Sequence, residues 1–206
     1  MSRKENKKRL HQMVLAAVLM AILIVMSITP LGYLKVGPLE ITFLTIPVAV
    51  GAVILGPWWG LFLGFVFGMT SVLQCVFGST TPFFLALFEM NPFGLTFTCL
   101  VPRMLMGWLT GMIFRALAPL DKTRLWSFPA ATFSAAILNT ILFVGSLLAF
   151  FGRSDSILSM GDSLGKIIWT MVGVNGLVEM AVCCVVGGAL GKALSGFVPP
   201  EAYDKD

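Results

Sequence analysis

The chain has 206 residues, of which 57% are hydrophobic and only 12% are charged, and its formal net charge is +4. A water-soluble domain is about a quarter charged, because its surface must face water. These proportions argue against a soluble enzyme, a nucleic-acid-binding protein and a disordered scaffold. They predict a polytopic membrane protein that lies in a lipid bilayer and has no nucleic-acid partner.

The first predicted span runs from Leu10 to Leu34 and carries no charge. Its length of about 25 residues is enough to cross the roughly 30 Å hydrocarbon core of a bilayer, and it exceeds the apolar region of a cleaved signal peptide. The preceding residues 1–9 hold five of the fourteen Lys and Arg residues. We therefore predict a basic cytoplasmic tail followed by a transmembrane helix.

The uncharged run from Ile41 to Phe88 follows a predicted outer loop, Lys35–Glu40, and is too long for one helix. Gly56 and Pro57 interrupt it, and such residues end one helix and start another. The sequence therefore predicts a second span at Phe43–Leu55, a third at Trp58–Phe77, and a long loop at Gly78–Pro92 that could re-enter the membrane.

Three further apolar runs complete the predicted fold, at Leu95–Leu117, Phe128–Phe151 and Ile167–Leu194. The expected fold class is an all-α membrane protein, with six transmembrane helices in one compact bundle over residues 10–195 and a second cytoplasmic tail at 196–206. An even number of spans puts both termini on one side. That side is predicted to be the cytoplasm of the cell membrane, because it then carries ten of the Lys and Arg residues.

Small residues recur every four positions along several predicted helices, a spacing that lets helices approach closely. The glycines are Gly56, Gly60, Gly64 and Gly68, then Gly107 and Gly111, and finally Gly187 and Gly191. Ala17 and Ala21 form a similar pair on the first helix. The glycines predict packing within the bundle, whereas the alanine pair suits either the bundle or a partner protein.

Four polar residues at membrane depth are the main site candidates: Arg103, Asn139, Asn175 and Glu179. Ionisable groups there are costly and usually functional. The helix directions place all four near one level in the outer half of the bundle, where they could line a pocket. Arginine can hold a carboxylate or phosphate, and the amides can bind hydroxyls. Alternatively, Arg103 and Glu179 pair with each other and lock two helices together.

Gln74 and Asn91 are weaker candidates for the rim of this pocket. The four cysteines lie in apolar stretches with no metal-ligand spacing, so we expect no metal site and no cofactor. The sequence contains no nucleophile–base pair and no ATP-binding motif. We therefore expect a protein that is not an enzyme and cannot hydrolyse ATP by itself.

The segment from Ile46 to Gly60, continued by Gly64 to Ser71, resembles the substrate-binding S component of energy-coupling factor (ECF) vitamin transporters. Pro102-Arg103 with Gly107, Asn139-Thr140, and the segment Asn175–Glu179 are also similar to this family. The resemblance covers the chain from Leu15 to about Leu194. One departure is Trp58-Trp59, where the family often has a basic residue.

This resemblance implies a six-helix subunit that captures a small-molecule vitamin outside the cell. Such a subunit delivers the vitamin with a separate transmembrane coupling protein and two cytoplasmic ATPase subunits. Small residues on the first helix of the family meet the coupling protein, and Ala17 and Ala21 match that pattern.

Arg103 with an asparagine 36 residues later resembles the pantothenate-type subunits. Riboflavin-type subunits tend to carry a lysine where this chain has Val178. We therefore expect pantothenate, with riboflavin or another B vitamin as the alternative, and apolar walls that include Phe77, Phe83 and Phe84. An intramembrane enzyme that uses Glu179 as a base, or a structural membrane protein without a ligand, remain the more remote alternatives.

Overall fold

The computed structural model describes residues 3–29, 32–36, 39–121, 126–152, 173 and 176–195. The helices are α1 (Arg3–Ile28), α2 (Thr45–Leu55), α3 (Pro57–Val76), α4 (Pro82–Met90), α5 (Pro92–Leu117), α6 (Ser127–Phe151) and α7 (176–195). Inside α7, Cys183–Gly187 forms one π-helical turn. The predicted helical fold class is confirmed for this part of the chain.

Five of these helices contain stretches long and apolar enough to cross a membrane. They are Arg9–Ile28, Pro57–Val76, Pro92–Leu117, Ser127–Phe151 and Gly176–Ala193. Helix α2 is apolar but has only 11 residues, or about 16 Å of helix. All of its residues are buried, so α2 lies in the middle of the bundle. The predicted second, third and fifth spans agree with α2, α3 and α6 to within two residues.

The predicted first span is wrong at its carboxyl end. Helix α1 ends at Ile28, and the chain then forms an antiparallel hairpin of β1 (Tyr33–Val36) and β2 (Leu39–Thr42), in which Tyr33 is opposite Thr42. Pro30 comes two residues after Ile28 in the sequence, and a proline disfavours helical geometry at the residue that precedes it. Where a plain outer loop was expected, the hairpin pairs its backbone groups with each other. At the other end, α1 already begins at Arg3, within the predicted basic tail.

The predicted long loop at Gly78–Pro92 is also wrong, because most of it is helix α4. Pro82 and Pro92 each stand in the first turn of a helix, where a missing backbone N–H costs nothing. Between the two helices, Asn91 accepts a 2.9 Å hydrogen bond from the backbone N–H of Gly94 and so caps α5. The prolines therefore start helices here and do not mark an irregular loop.

Helices α3 and α5 pack backbone to backbone through their glycines. A Cβ atom at Gly60 would collide with the carbonyl oxygen of Gly107, and one at Gly64 would collide with that of Arg103. Gly107 in turn meets the carbonyl oxygen of Gly60. The prediction that the four-residue glycine spacing serves helix packing is confirmed for this pair. The same holds for α7, where a Cβ at Gly191 would lie 2.8 Å from the ring of Phe128 on α6.

The contacts between helix termini define two ends of the bundle. At the hairpin end, α1 and α3 finish side by side, and Gln74 Nε2 donates a 2.9 Å hydrogen bond to the carbonyl oxygen of Ser27. At the opposite end, Arg115 of α5 lies beside Gly56, where α3 starts, and the rings of Phe114 and Phe128 are 4.9 Å apart. Helix α1 begins at this opposite end, because it finishes at the hairpin end. Helix α7 ends there as well, since Gly191 near its carboxyl end lies beside Phe128.

Candidate substrate-binding site

A cavity with about 800 Å³ of empty space, part of it open solvent at its mouth, lies in the half of the bundle nearest the hairpin. The hairpin and helices α3, α4, α5, α6 and α7 all contribute to its wall. The polar lining residues are Tyr33, Thr42, Ser71, Gln74, Thr80, Arg103, Asn139, Thr140 and Glu179. The apolar lining side chains are Cys75, Phe84, Cys99, Phe143, Val144 and Leu147.

Arg103 enters this cavity from α5 and is only 6% exposed. Its Nη1 donates hydrogen bonds to the carbonyl oxygens of Cys99 at 2.8 Å and Thr98 at 3.5 Å. The guanidinium carbon lies 4.6 Å from the ring centre of Phe67 and 5.0 Å from that of Phe143. The two rings and the two carbonyl groups hold the cation in one place without removing its charge.

Local sequence explains why Arg103 turns back along its own helix. Pro102 lies inside α5, and because proline has no N–H, the carbonyl group of Thr98 loses its ordinary helical partner. The Arg103 guanidinium supplies a donor to that region. The backbone of Arg103 is fixed as well, since Gly64 packs against its carbonyl oxygen. Within the described chain, Nε of Arg103 is buried without a hydrogen-bond partner.

Glu179 enters the cavity from α7 and is also 6% exposed. Its Oε1 accepts three hydrogen bonds, from Thr45 Oγ1 at 2.6 Å, Asn139 Nδ2 at 3.0 Å and Thr42 Oγ1 at 3.3 Å. These donors come from α2, α6 and β2. Three donors on one oxygen offset only part of the cost of burying a carboxylate, and they fix the position of the side chain.

Arg103 and Glu179 do not form an ion pair with each other. The polar partners of the guanidinium in the described chain are backbone carbonyl groups, and those of the carboxylate are two hydroxyls and an amide. The alternative in which this pair locks two helices is therefore not what the structure contains. The cavity instead presents one guanidinium group and one carboxyl group that do not contact each other.

The other predicted site residues have different positions. Asn139 and Gln74 line the cavity, and Oδ1 of Asn139 is buried without a partner among the described residues. Asn91 is not among the lining residues, since its side chain caps α5. Asn175 lies outside the described residues, so its role stays a prediction. Ala17 and Ala21 are both exposed on α1, away from the cavity.

The predicted apolar walls are only partly correct. Phe84 lines the cavity, and Phe83 packs against it with ring centres 5.3 Å apart. Phe77 is 76% exposed and is not among the residues that line the cavity. The reason is that α3 ends at Val76, and Phe77 lies in the turn beyond the helix.

Several lining residues were missed by sequence reasoning because they lie in the unpredicted hairpin or are small hydroxyl residues. Tyr33 of β1 forms hydrogen bonds of 2.8 Å with Ser71 Oγ and 3.2 Å with Thr70 Oγ1. Burial raises the pKa of the Tyr33 phenol above its usual value, although the nearby Arg103 guanidinium opposes the shift. The phenol therefore stays neutral and can donate a hydrogen bond. No sequence motif marks Thr42 or Thr45 as a partner of Glu179.

Cysteine side chains contribute to the apolar surface. Cys75 and Cys99 are buried in the cavity wall, and Cys183 is buried one turn after Glu179. No group of three metal-ligating side chains of the kinds His, Cys, Asp and Glu occurs among the residues with described positions.

Comparison with known proteins assigns this chain to a family. The profile of the family "ECF transporter, substrate-specific component" matches residues 11–187. The chain is also 28% identical over 200 residues to a Lactococcus lactis subsp. cremoris (strain MG1363) protein named pantothenic acid transporter PanT, covering 92% of this chain and 96% of that protein. The resemblance found in the sequence is thereby confirmed, and the chain belongs to the family of ECF transporter substrate-specific components.

Proposed function

We propose that this subunit binds pantothenate from outside the cell and delivers it inward with a separate transmembrane coupling protein and two cytoplasmic ATPase subunits. The observation that carries the proposal is the buried guanidinium of Arg103, which faces the cavity with no carboxylate partner among the described side chains. A buried arginine of this kind is suited to a carboxylate ligand. The relative named pantothenic acid transporter supports the choice of vitamin.

The chemistry of pantothenate suits the rest of the lining. The molecule has a carboxylate at one end, hydroxyls at the other, and an amide and two methyl groups between them. Arg103 would bind the carboxylate, while Asn139 and Thr140 offer groups that can bond to hydroxyls and amides. Phe84 and Val144 provide apolar surface for the methyl groups. Asn175, next to the described part of α7, is included in the proposed site from its sequence position.

The positions of the helix termini support six membrane crossings. Because α1 and α3 both finish at the hairpin end, the chain must return to the opposite end between them, and α2 is the buried segment that returns it. We propose that the opposite end faces the cytoplasm, since it carries Arg115 and Lys192. Both termini are then cytoplasmic, and the cavity lies in the outer half of the bundle.

The coupling protein is proposed to bind α1. Only 17% of the apolar stretch of this helix is buried within the subunit, compared with 50% for α5. Ala17 and Ala21 are exposed there one turn apart, so a partner helix can approach its backbone closely.

Native mass spectrometry of the chain, purified from membranes of cells grown with pantothenate, tests the choice of vitamin. We expect a bound species with the mass of pantothenate. A bound mass equal to that of riboflavin, or of another B vitamin, would contradict the proposal and favour the alternative subunit type.

A further inference from the structure

Buried residues of helix α7 recur at a strict four-residue spacing. Glu179, Cys183, Gly187 and Gly191 are all buried, whereas Val185 is exposed. Residues four apart in a regular α-helix are separated by about 400° of rotation, so such a stripe drifts around the helix by about 40° at each step. Gly191 would then lie about 120° around α7 from Glu179, and the two residues could not face the same neighbouring helix.

The structure nevertheless places both ends of this stripe against α6. At the cavity, Glu179 Oε1 accepts the 3.0 Å hydrogen bond from Asn139 Nδ2. Further along α7, the backbone of Gly187 packs on Thr132, where an added Cβ atom would lie 3.0 Å from the threonine Cβ. Gly191 packs on the same helix. The drift expected of a regular α-helix is therefore absent from α7.

The π-helical turn at Cys183–Gly187 explains why the stripe stays straight. A π-turn closes its hydrogen bonds between residues five apart instead of four, so it accommodates one extra residue. The chain from Glu179 to Gly187 then winds about as seven α-helical steps would, which brings the two residues to within about 20° of each other. In a regular helix they would be about 80° apart, and Glu179 would turn away from α6.

We propose that this π-turn is a positioning element of the substrate-binding site, which lets α7 direct Glu179 into the cavity while its glycines stay packed on α6. The ligand is the one named by the proposed function, on which this proposal rests. No residue of the turn lines the cavity, so the turn acts through Glu179. The role does not depend on the charge of Glu179, because a carboxyl group has an accepting oxygen in both protonation states.

Deletion of Val185 tests the proposal directly. Its side chain is 71% exposed, so the deletion changes mainly the number of residues in the turn. A regular α-helix with one residue fewer keeps Glu179 and Gly187 on one face, and we expect pantothenate affinity in lipid nanodiscs within about threefold of the unmodified protein. Val185→Ala, which keeps the residue count, controls for the lost side chain. Loss of folding or of binding in the deletion variant alone would overturn the inference.

Insertion of an alanine after Val185 is the opposite change. One π-turn accommodates one extra residue, so a second extra residue should rotate Glu179 by about 100°. We expect pantothenate to bind at least about tenfold more weakly, because the three hydrogen-bond donors lose their acceptor in the cavity wall. Unchanged affinity would overturn the inference. If the insertion variant does not fold, the deletion variant decides, since a π-turn that persisted after the deletion would rotate Glu179 and abolish binding.

Thermal unfolding keeps this inference separate from the proposed function, because Tm is measured without the vitamin. The deletion variant should unfold near the Tm of the unmodified protein. The insertion variant should have a lower Tm, since the donors Thr42, Thr45 and Asn139 are left without their acceptor. If the unmodified protein does not bind pantothenate, the proposed function fails. Equal Tm values of the two variants would instead overturn the inference.

Discussion

Asn139 donates a 3.0 Å hydrogen bond from Nδ2 to Oε1 of Glu179, 40 residues away in the sequence, and so joins α6 to α7 at the cavity wall. The same carboxylate oxygen accepts the hydroxyls of Thr42 in the hairpin and Thr45 in α2. One side chain of α7 is thus connected to three other elements, and the shape of the cavity depends on it.

The Asn139→Leu substitution should weaken pantothenate binding about tenfold, because it removes one donor to a buried carboxylate and a free amide oxygen from the cavity. Calorimetric titration of the purified variant measures the change. Ser146→Ala on the same helix is the control, since its hydroxyl bonds to carbonyl groups of α6 itself. Equal affinities of Asn139→Leu and the control would argue that Asn139 does not take part in binding.

The Arg103→Ala substitution should lower the affinity for pantothenate at least about 100-fold, because the one cation of the described cavity lining is lost. Arg115→Ala removes an equal charge at the opposite end of the bundle, where the side chain is exposed, and should leave affinity unchanged. Both variants are compared with the unmodified protein by calorimetry. Unchanged affinity in Arg103→Ala would exclude the role assigned to this residue.

The Gly64→Val substitution should destabilise the subunit by about 1–3 kcal/mol, because the added side chain collides with the backbone of Arg103 and forces α3 away from α5. Affinity for pantothenate should fall as well, since Arg103 moves. Gly145→Val on α6 is the control, as no atom lies within 4 Å of a Cβ built there. Thermal unfolding in detergent should give a lower Tm for the first variant alone. Equal Tm values would contradict the close packing of α3 on α5.

The Ala17→Trp and Ala21→Trp substitutions should stop pantothenate uptake by intact cells while the purified subunit still binds the vitamin. A large ring at either position blocks the close approach of a partner helix. Ile22→Trp is the control, because Ile22 is exposed on another side of α1. Normal uptake in the two alanine variants would show that the coupling protein does not bind this surface.

Much of the helical framework was predictable because apolar length and glycine spacing are local properties of the sequence. The glycines of α3 meet those of α5 as their four-residue spacing suggested. The hairpin and α4 were missed for a physical reason. Each hairpin strand has only four residues, too few for an alternating pattern to stand out, and the prolines around α4 looked like signals of a loop.

The charged residues of the site were also predictable, because a charge at membrane depth is conspicuous in so apolar a chain. Their surroundings were not. Thr45 lies 134 residues from Glu179, and no sequence pattern indicates that a threonine at the start of α2 bonds to a carboxylate on α7. Nor does the sequence exclude a direct pair between Arg103 and Glu179. That distinction depends on helix rotation, which is set by packing of the whole bundle.

The most direct test of the central claim is to titrate the purified subunit in lipid nanodiscs with pantothenate and with pantothenol, which has an alcohol in place of the carboxylate. If Arg103 binds the carboxylate of pantothenate, the subunit should prefer pantothenate by at least about 100-fold. Equal affinity for the two compounds, or no binding of pantothenate, would contradict the account.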